Sequence, residues 1–119
     1  MCGIFGFVSE AAESPTMVIE GLRRLEYRGY DSWGIAAAAP AVPLRIVKQV
    51  GKISRTTDDD LRELSTPATA AVGHTRWATH GKPDVPNAHP HLSPGGRFAV
   101  VHNGIIENHR ELRALQIGR

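Results

Sequence analysis

The chain has one cysteine among its 119 residues, and it stands second, in Met1-Cys2-Gly3-Ile4. A residue as small as cysteine after the initiating methionine permits removal of Met1. Cys2 would then carry a thiol and a free α-amine on one residue. An α-amine ordinarily titrates near about 7.7–8.0 and a thiol near about 8.5. The amine is thus suited to take the thiol proton, directly or through a water, and later to return a proton to a departing amine. Gly3 beside it leaves space for a substrate to approach the backbone. Taken alone, a second-position cysteine reads more readily as an ordinary early residue. The other motifs of the chain reverse that balance.

Gly73-His74-Thr75-Arg76-Trp77-Ala78-Thr79-His80-Gly81 joins a strand end to a loop. Arg76 suits a substrate carboxylate, because its planar guanidinium binds two oxygens at once. Trp77 is able to close over a small ligand, Thr79 and His80 add polar contacts, and Gly81 supplies a hinge. The same stretch also reads as a solvated arginine beside a core tryptophan. His102-Asn103-Gly104 ends a strand. The Asn103 amide and the Gly104 N–H are the parts of an oxyanion hole, and Asn-Gly is also a strong hairpin-turn signal. Arg28 and Asp31 are placed to pair within one turn and hold the chain end near Cys2, with Arg28 polarising the thiolate site. An exposed pair worth little is the plainer reading. There are six histidines. His89 and His91, with Asp84 or His80, offer metal-ligand types, but the spacing matches no specific zinc signature. Bracing of a long loop by hydrogen bonds is the expectation, with no metal.

Composition narrows the classes. Hydrophobic residues make 41% and charged residues 22%, with a net charge of +2, as in an ordinary globular domain. Lysines and arginines are dispersed among acids, without a basic stripe, so nucleic acid is not an expected partner. No apolar run is long enough to span a membrane, and Ile4–Val8 is too short and lacks the basic flank of a signal peptide. The lone cysteine fits a reducing compartment, and the cytoplasm is the expected location.

The elements that must position these residues are read from periodicity. Residues 3–8 read as a buried strand. Ser14-Pro15 opens a helix expected over 15–27, with Val18, Ile19, Leu22 and Leu25 as its apolar stripe and Gly21 at a close contact with a sheet. Residues 34–39 and a segment holding Leu44, Ile46 and Val50 read as a strand hairpin. Thr57 caps a short helix through Leu64. Strands are expected at 69–73 and 98–101, a loop over 79–96, and a last helix from Asn108, capped with Glu111. Paired strands between helices favour a layered α+β fold over a doubly wound parallel sheet. The chain stops in or just past that helix at Leu115-Gln116-Ile117-Gly118-Arg119, so truncation is expected.

Five motifs in order carry a resemblance: Cys2-Gly3-Ile4, Arg28-Gly29-Tyr30-Asp31-Ser32, His74 to Gly81, Asn87-Ala88-His89-Pro90-His91, and His102 to Asn108. Together they resemble the glutaminase domain of the glucosamine-6-phosphate synthase family, a class II glutamine amidotransferase. Tyr30, Trp77 and His80 separate it from the amidophosphoribosyltransferases, which show other residues there. The resemblance implies an N-terminal-nucleophile hydrolase fold, a four-layer α/β/β/α sandwich, with about its first half present as an incomplete glutaminase domain over 1–119. It implies catalysis by Cys2, with Asn103 and Gly104 as oxyanion donors. Arg76, Trp77, Thr79, His80 and Gly104 would bind glutamine, and Arg28 and Asp31 would support the site. It implies no metal or organic cofactor. It implies ammonia transfer to fructose 6-phosphate in a further domain, and a homodimer. An aspartate for the glutamine α-amine is expected beyond Arg119. Trp33 departs from the small residue usual in the family, which bears on packing near Asp31-Ser32. A non-catalytic glutamine-binding module, or another class II amidotransferase, is the alternative.

Overall fold

The computed structural model describes residues 1–118; Arg119, the last residue of the closing stretch, lies outside them. Four strands, β1 (Gly3–Glu13), β2 (Ser32–Ala38), β3 (Arg45–Val50) and β4 (Ala68–Arg76), form one antiparallel sheet. Their spatial order is β1-β4-β2-β3. The hairpin of β2 with β3 is present, with Gly34 opposite Lys48 and Ala36 opposite Ile46. β4 lies between β1 and β2, so Thr75 is opposite both Gly3 and Trp33, and His74 is opposite both Ile4 and Gly34. A second, two-stranded sheet pairs β5 (His91–Leu92) with β6 (Ala99–Val100).

Helix α1 (Thr16–Arg24) packs on one face of the larger sheet through Val18, Ile19 and Leu22. Fully burying such a side chain contributes about 1.5–3 kcal/mol. Two glycines allow the contact to close. A Cβ at Gly21 would lie 2.3 Å from Phe5 Cγ, and one at Gly73 would lie 2.7 Å from both Leu22 Cδ1 and Val18 Cγ1. The core adds Trp33, Ile35, Ala37 and Val47 from the sheet, with Ile53 and Leu64 from the segments between β3 and β4. Trp33 is 1% exposed. Its indole is therefore absorbed by the core on the α1 side.

Several expectations are corrected. β1 is a sheet edge: Ile4 and Val8 are exposed on the side that has no helix, and Phe5, although it lies against Gly21 of α1, remains 41% exposed at that edge. It also runs on to Glu13, with an irregularity after Val8. The first helix stops at Arg24 and gives way to a 3₁₀ turn at Glu26–Arg28. The segment after Thr57 is also 3₁₀, Asp59–Leu64, although Thr57 and Asp60 do bond each other reciprocally. The 79–96 loop includes the short strand β5. The last helix, α2 (His109–Ile117), has no side-chain cap bond from Asn108 and buries no residue.

Candidate active site

Cys2 lies just before β1, on the edge strand, and its carbonyl accepts two bonds. One comes from Arg28 Nε at 3.3 Å and the other from Asn103 Nδ2 at 3.2 Å. Residues 26 and 101 positions away thereby converge on one peptide group. The Cys2 sulfur accepts the backbone N–H of Trp77 at 3.4 Å. Next in the chain, Gly3 N–H donates to Thr75 Oγ1 at 3.2 Å. A side chain at Gly3 would meet Leu25 Cβ and Thr75 Oγ1, each at 2.7 Å. The smallness of Gly3 therefore serves packing of the chain end on β4 and against Leu25, and the space expected for substrate there is filled.

The 77–82 loop is folded back on Arg76, the last residue of β4. Its guanidinium donates to the carbonyl of Lys82 at 3.0 Å and to that of His80. A guanidinium carries five N–H groups, so donors remain for a carboxylate. Gly81 has φ +77°, which lets the loop reverse at that point. Trp77 is 42% exposed and stands edge-on to Tyr30, ring centroids 5.4 Å apart. It is not a core residue. His80 Nδ1 lies 3.2 Å from Thr79 Oγ1.

Arg28 and Asp31 do not pair with each other. Arg28 reaches Cys2, whereas Asp31 Oδ2 accepts the N–H of Ala78 at 2.7 Å. The Asp31 backbone also donates to Arg76 O and accepts from Gly51 N. Each supports a different wall of the site. The plainer reading of Asn103-Gly104 is also overturned. The hairpin between β5 and β6 closes at Ser93 to Phe98 with Gly96 at φ +64°, and Asn103-Gly104 continues past the sheet without reversing.

These groups line a cleft of about 570 Å³ that holds Cys2, Arg76, Trp77, Thr79, His80, Asn103 and Gly104. His74, His89 and His102 line it as well, although their spacing in the sequence suggests only a bracing role. They do brace the loop, chiefly by stacking: His74 and His89 lie 4.4 Å apart at 28°, and His91 meets His89 edge-on at 4.4 Å. Burial pushes both His74 and His89 down to about 4, helped at His74 by the positive charge of Arg76 and at His89 first by the neighbouring imidazoles of His74 and His91. Both are neutral imidazoles near neutral pH. Among the described residues no group of three metal-ligating side chains converges. The cleft therefore presents a thiol, amide and guanidinium donors, and neutral rings. That set fits acyl transfer from a small substrate bearing a carboxylate.

The chain is 50% identical to glutamine–fructose-6-phosphate aminotransferase [isomerizing] of Chlamydia caviae, over 98% of this chain and 19% of that protein. The enzyme of that name from Legionella pneumophila is 54% identical over 95% of this chain and 18% of its own length. The chain is homologous to the glutamine–fructose-6-phosphate aminotransferases. It spans about a fifth of the length of these relatives. No family model matches it. Among solved structures, glutamine phosphoribosylpyrophosphate amidotransferase from B. subtilis superposes with a TM-score of 0.77 at 26% identity, covering 99% of this chain and 25% of that one. An allosteric regulatory enzyme of purine biosynthesis gives 0.81 at the same identity and coverage. The mixed α and β fold is thus shared with a glutamine amidotransferase, whereas sequence identity to the fructose-6-phosphate aminotransferases is about twice as high. Thr75, Tyr30 and the histidine stack pack against the residues of the cleft. Of these, Thr75 carried no sequence signal, because a strand threonine is ordinary.

Proposed function

We propose that this chain carries the glutamine-hydrolysing site of a glutamine–fructose-6-phosphate aminotransferase, with Cys2 as nucleophile. Removal of Met1 frees the α-amine of Cys2, which takes the thiol proton. The sulfur attacks the side-chain amide carbon of glutamine, a C–S bond forms, and the carbonyl electrons move onto oxygen. The Asn103 side chain and Gly104 N–H stabilise that oxyanion. The C–N bond then breaks, the Cys2 amine gives its proton to the leaving nitrogen, and ammonia departs. Water hydrolyses the γ-glutamyl thioester to glutamate and restores the thiol. Arg76 pairs with the α-carboxylate of glutamine while Trp77, Thr79 and His80 close the loop over it. Arg28 and Asp31 hold the walls, and no metal or cofactor takes part. In the whole enzyme the ammonia reaches fructose 6-phosphate in a separate domain and yields glucosamine 6-phosphate.

On this reading, residues 1–119 form part of a glutaminase domain with the four-layer α/β/β/α sandwich. The open face of the large sheet, opposite α1, receives a second sheet begun by β5 and β6. The working enzyme is a cytoplasmic homodimer without affinity for nucleic acid or membranes. The observation that carries the reading is the Cys2 sulfur, 3.4 Å from the Trp77 N–H and on the residue that Asn103 grips. The test is Cys2→Ala in the full-length protein. Glutamine hydrolysis should vanish, and the wild-type protein should show loss of Met1 by intact mass. Unchanged hydrolysis by Cys2→Ala, or active protein that retains Met1, would sink the mechanism.

A further inference from the structure

The segment that carries the oxyanion donors is held loosely. Val100 ends β6, α2 does not begin until His109, and His102 to Glu107 are exposed. Among the described residues, two hydrogen bonds tie residues 101–105 to the rest of the molecule. One is the Asn103 side chain on Cys2 O. The other is the backbone N–H of His102, which donates to His89 Nδ1 at 3.3 Å. The first uses the very amide that must turn to a substrate oxygen. The second does not draw on that amide, so it stays available through a reaction at Cys2.

His89 is fixed from several sides. His74, fully buried in β4, stacks flat on its ring, and His91 of β5 covers its edge. Its carbonyl sits so close to β2 that a Cβ on Gly34 would come within 2.3 Å of it. No hydrogen bond joins His74 to His89, so His74 holds it through its stacked face. His74 lies two residues before Arg76 and three before Trp77. The stack therefore links the wall that carries Arg76 and Trp77 to the wall that carries Asn103 and Gly104. We propose that His89 is a positioning residue for the oxyanion donors: its Nδ1 fixes the His102 N–H, and through it the placement of Asn103 and Gly104 relative to Cys2. This deepens the glutamine-hydrolysis reading and rests on it for its catalytic consequence.

Two variants of the full-length protein separate this from a packing role. Asparagine places a side-chain oxygen near the position of Nδ1, whereas leucine fills space without an acceptor. His89→Leu should lower kcat for glutamine hydrolysis about 10- to 100-fold with KM for glutamine changed less than about twofold, since Arg76 is untouched. His89→Asn should recover most of that loss, although it stacks less well. Equal losses in both variants, or a loss confined to KM, would overturn the proposal. Nitrogen-resolved NMR of the wild-type protein decides the geometry without turnover. The expected result is His89 protonated on Nε2, with a coupling through the hydrogen bond between its Nδ1 and the His102 amide nitrogen. A His89 protonated on Nδ1 at neutral pH would refute it even if the variants were slow. A wild-type protein that shows the coupling but does not hydrolyse glutamine would refute the enzymatic reading and leave the tether established.

Discussion

Cys2 is gripped at its carbonyl from two sides while its sulfur faces a backbone N–H, so its position is set by hydrogen bonds rather than by burial. On the proposed mechanism Asn103 is the one partner with a second task. Asn103→Ala should reduce kcat for glutamine hydrolysis about 10²–10³-fold, the usual cost of one oxyanion donor, and steady-state kinetics on the full-length protein would check it. A change in KM alone would show that Asn103 only anchors the chain end. His74 gives a second prediction at this scale. Its pKa is lowered to about 4 in the folded chain by burial, against about 6.5 when unfolded. Below pH 6.5 the unfolded chain takes up a proton that the folded chain does not. Stability is therefore complete above about pH 6.5 and falls as the pH drops toward 4, by about 2–3 kcal/mol from this group. Thermal melts across that range should show the fall, and His74→Phe, which keeps a stacking ring, should make it shallower.

The elements meet through glycines. β2 approaches the 79–96 loop at Gly34, where a Cβ would meet the His89 carbonyl at 2.3 Å and Lys48 Cγ at 2.9 Å. The first is backbone, so it cannot swing away. Gly34→Ala should destabilise the protein by about 1–3 kcal/mol, the range for overpacking, and should also lower glutamine hydrolysis by moving the loop that holds His89. Denaturant melts and kinetics on one preparation check both halves. A stable, fully active Gly34→Ala protein would mean that the loop rides over β2 with slack. By contrast, Gly21 and Gly73 seat α1 on the face of the large sheet away from the cleft, so changes there belong to stability alone.

The described residues form a slab 22 Å thick in its short dimension, about two layers deep at ordinary packing distances. α1 covers one face of the large sheet, and the other is only partly covered. Phe7, Val8, Ala38, Leu44, Ala70 and Phe98 line an open apolar groove of about 280 Å³ there, with Val8 88% and Phe98 68% exposed. α2 adds Leu115 and Ile117, both exposed. Contiguous apolar surface of this kind promotes association, and the β1 edge adds unpaired backbone groups. The 119-residue chain on its own should therefore self-associate or bind a hydrophobic dye at micromolar concentration, and light scattering would record it. A sharp, concentration-independent melt as a monomer would contradict this.

Local chemistry was legible in the sequence. The period of Val18, Ile19 and Leu22 marked the helix and its buried stripe, Gly21 marked close packing, and the order of five motifs pointed to the family without any geometry. These features depend on residues near one another in the chain, or on types that suit few other tasks. Contacts across many residues were decided only by the tertiary structure. Arg28 and Asp31 are three residues apart and of opposite charge, yet each finds a better partner far away, at Cys2 and at Ala78. The apolar run of β1 looked buried, but burial depends on what lies opposite, and β1 is an edge. The role of His89 was hidden for the same reason: a ring that holds a backbone amide 13 residues on leaves no spacing to read.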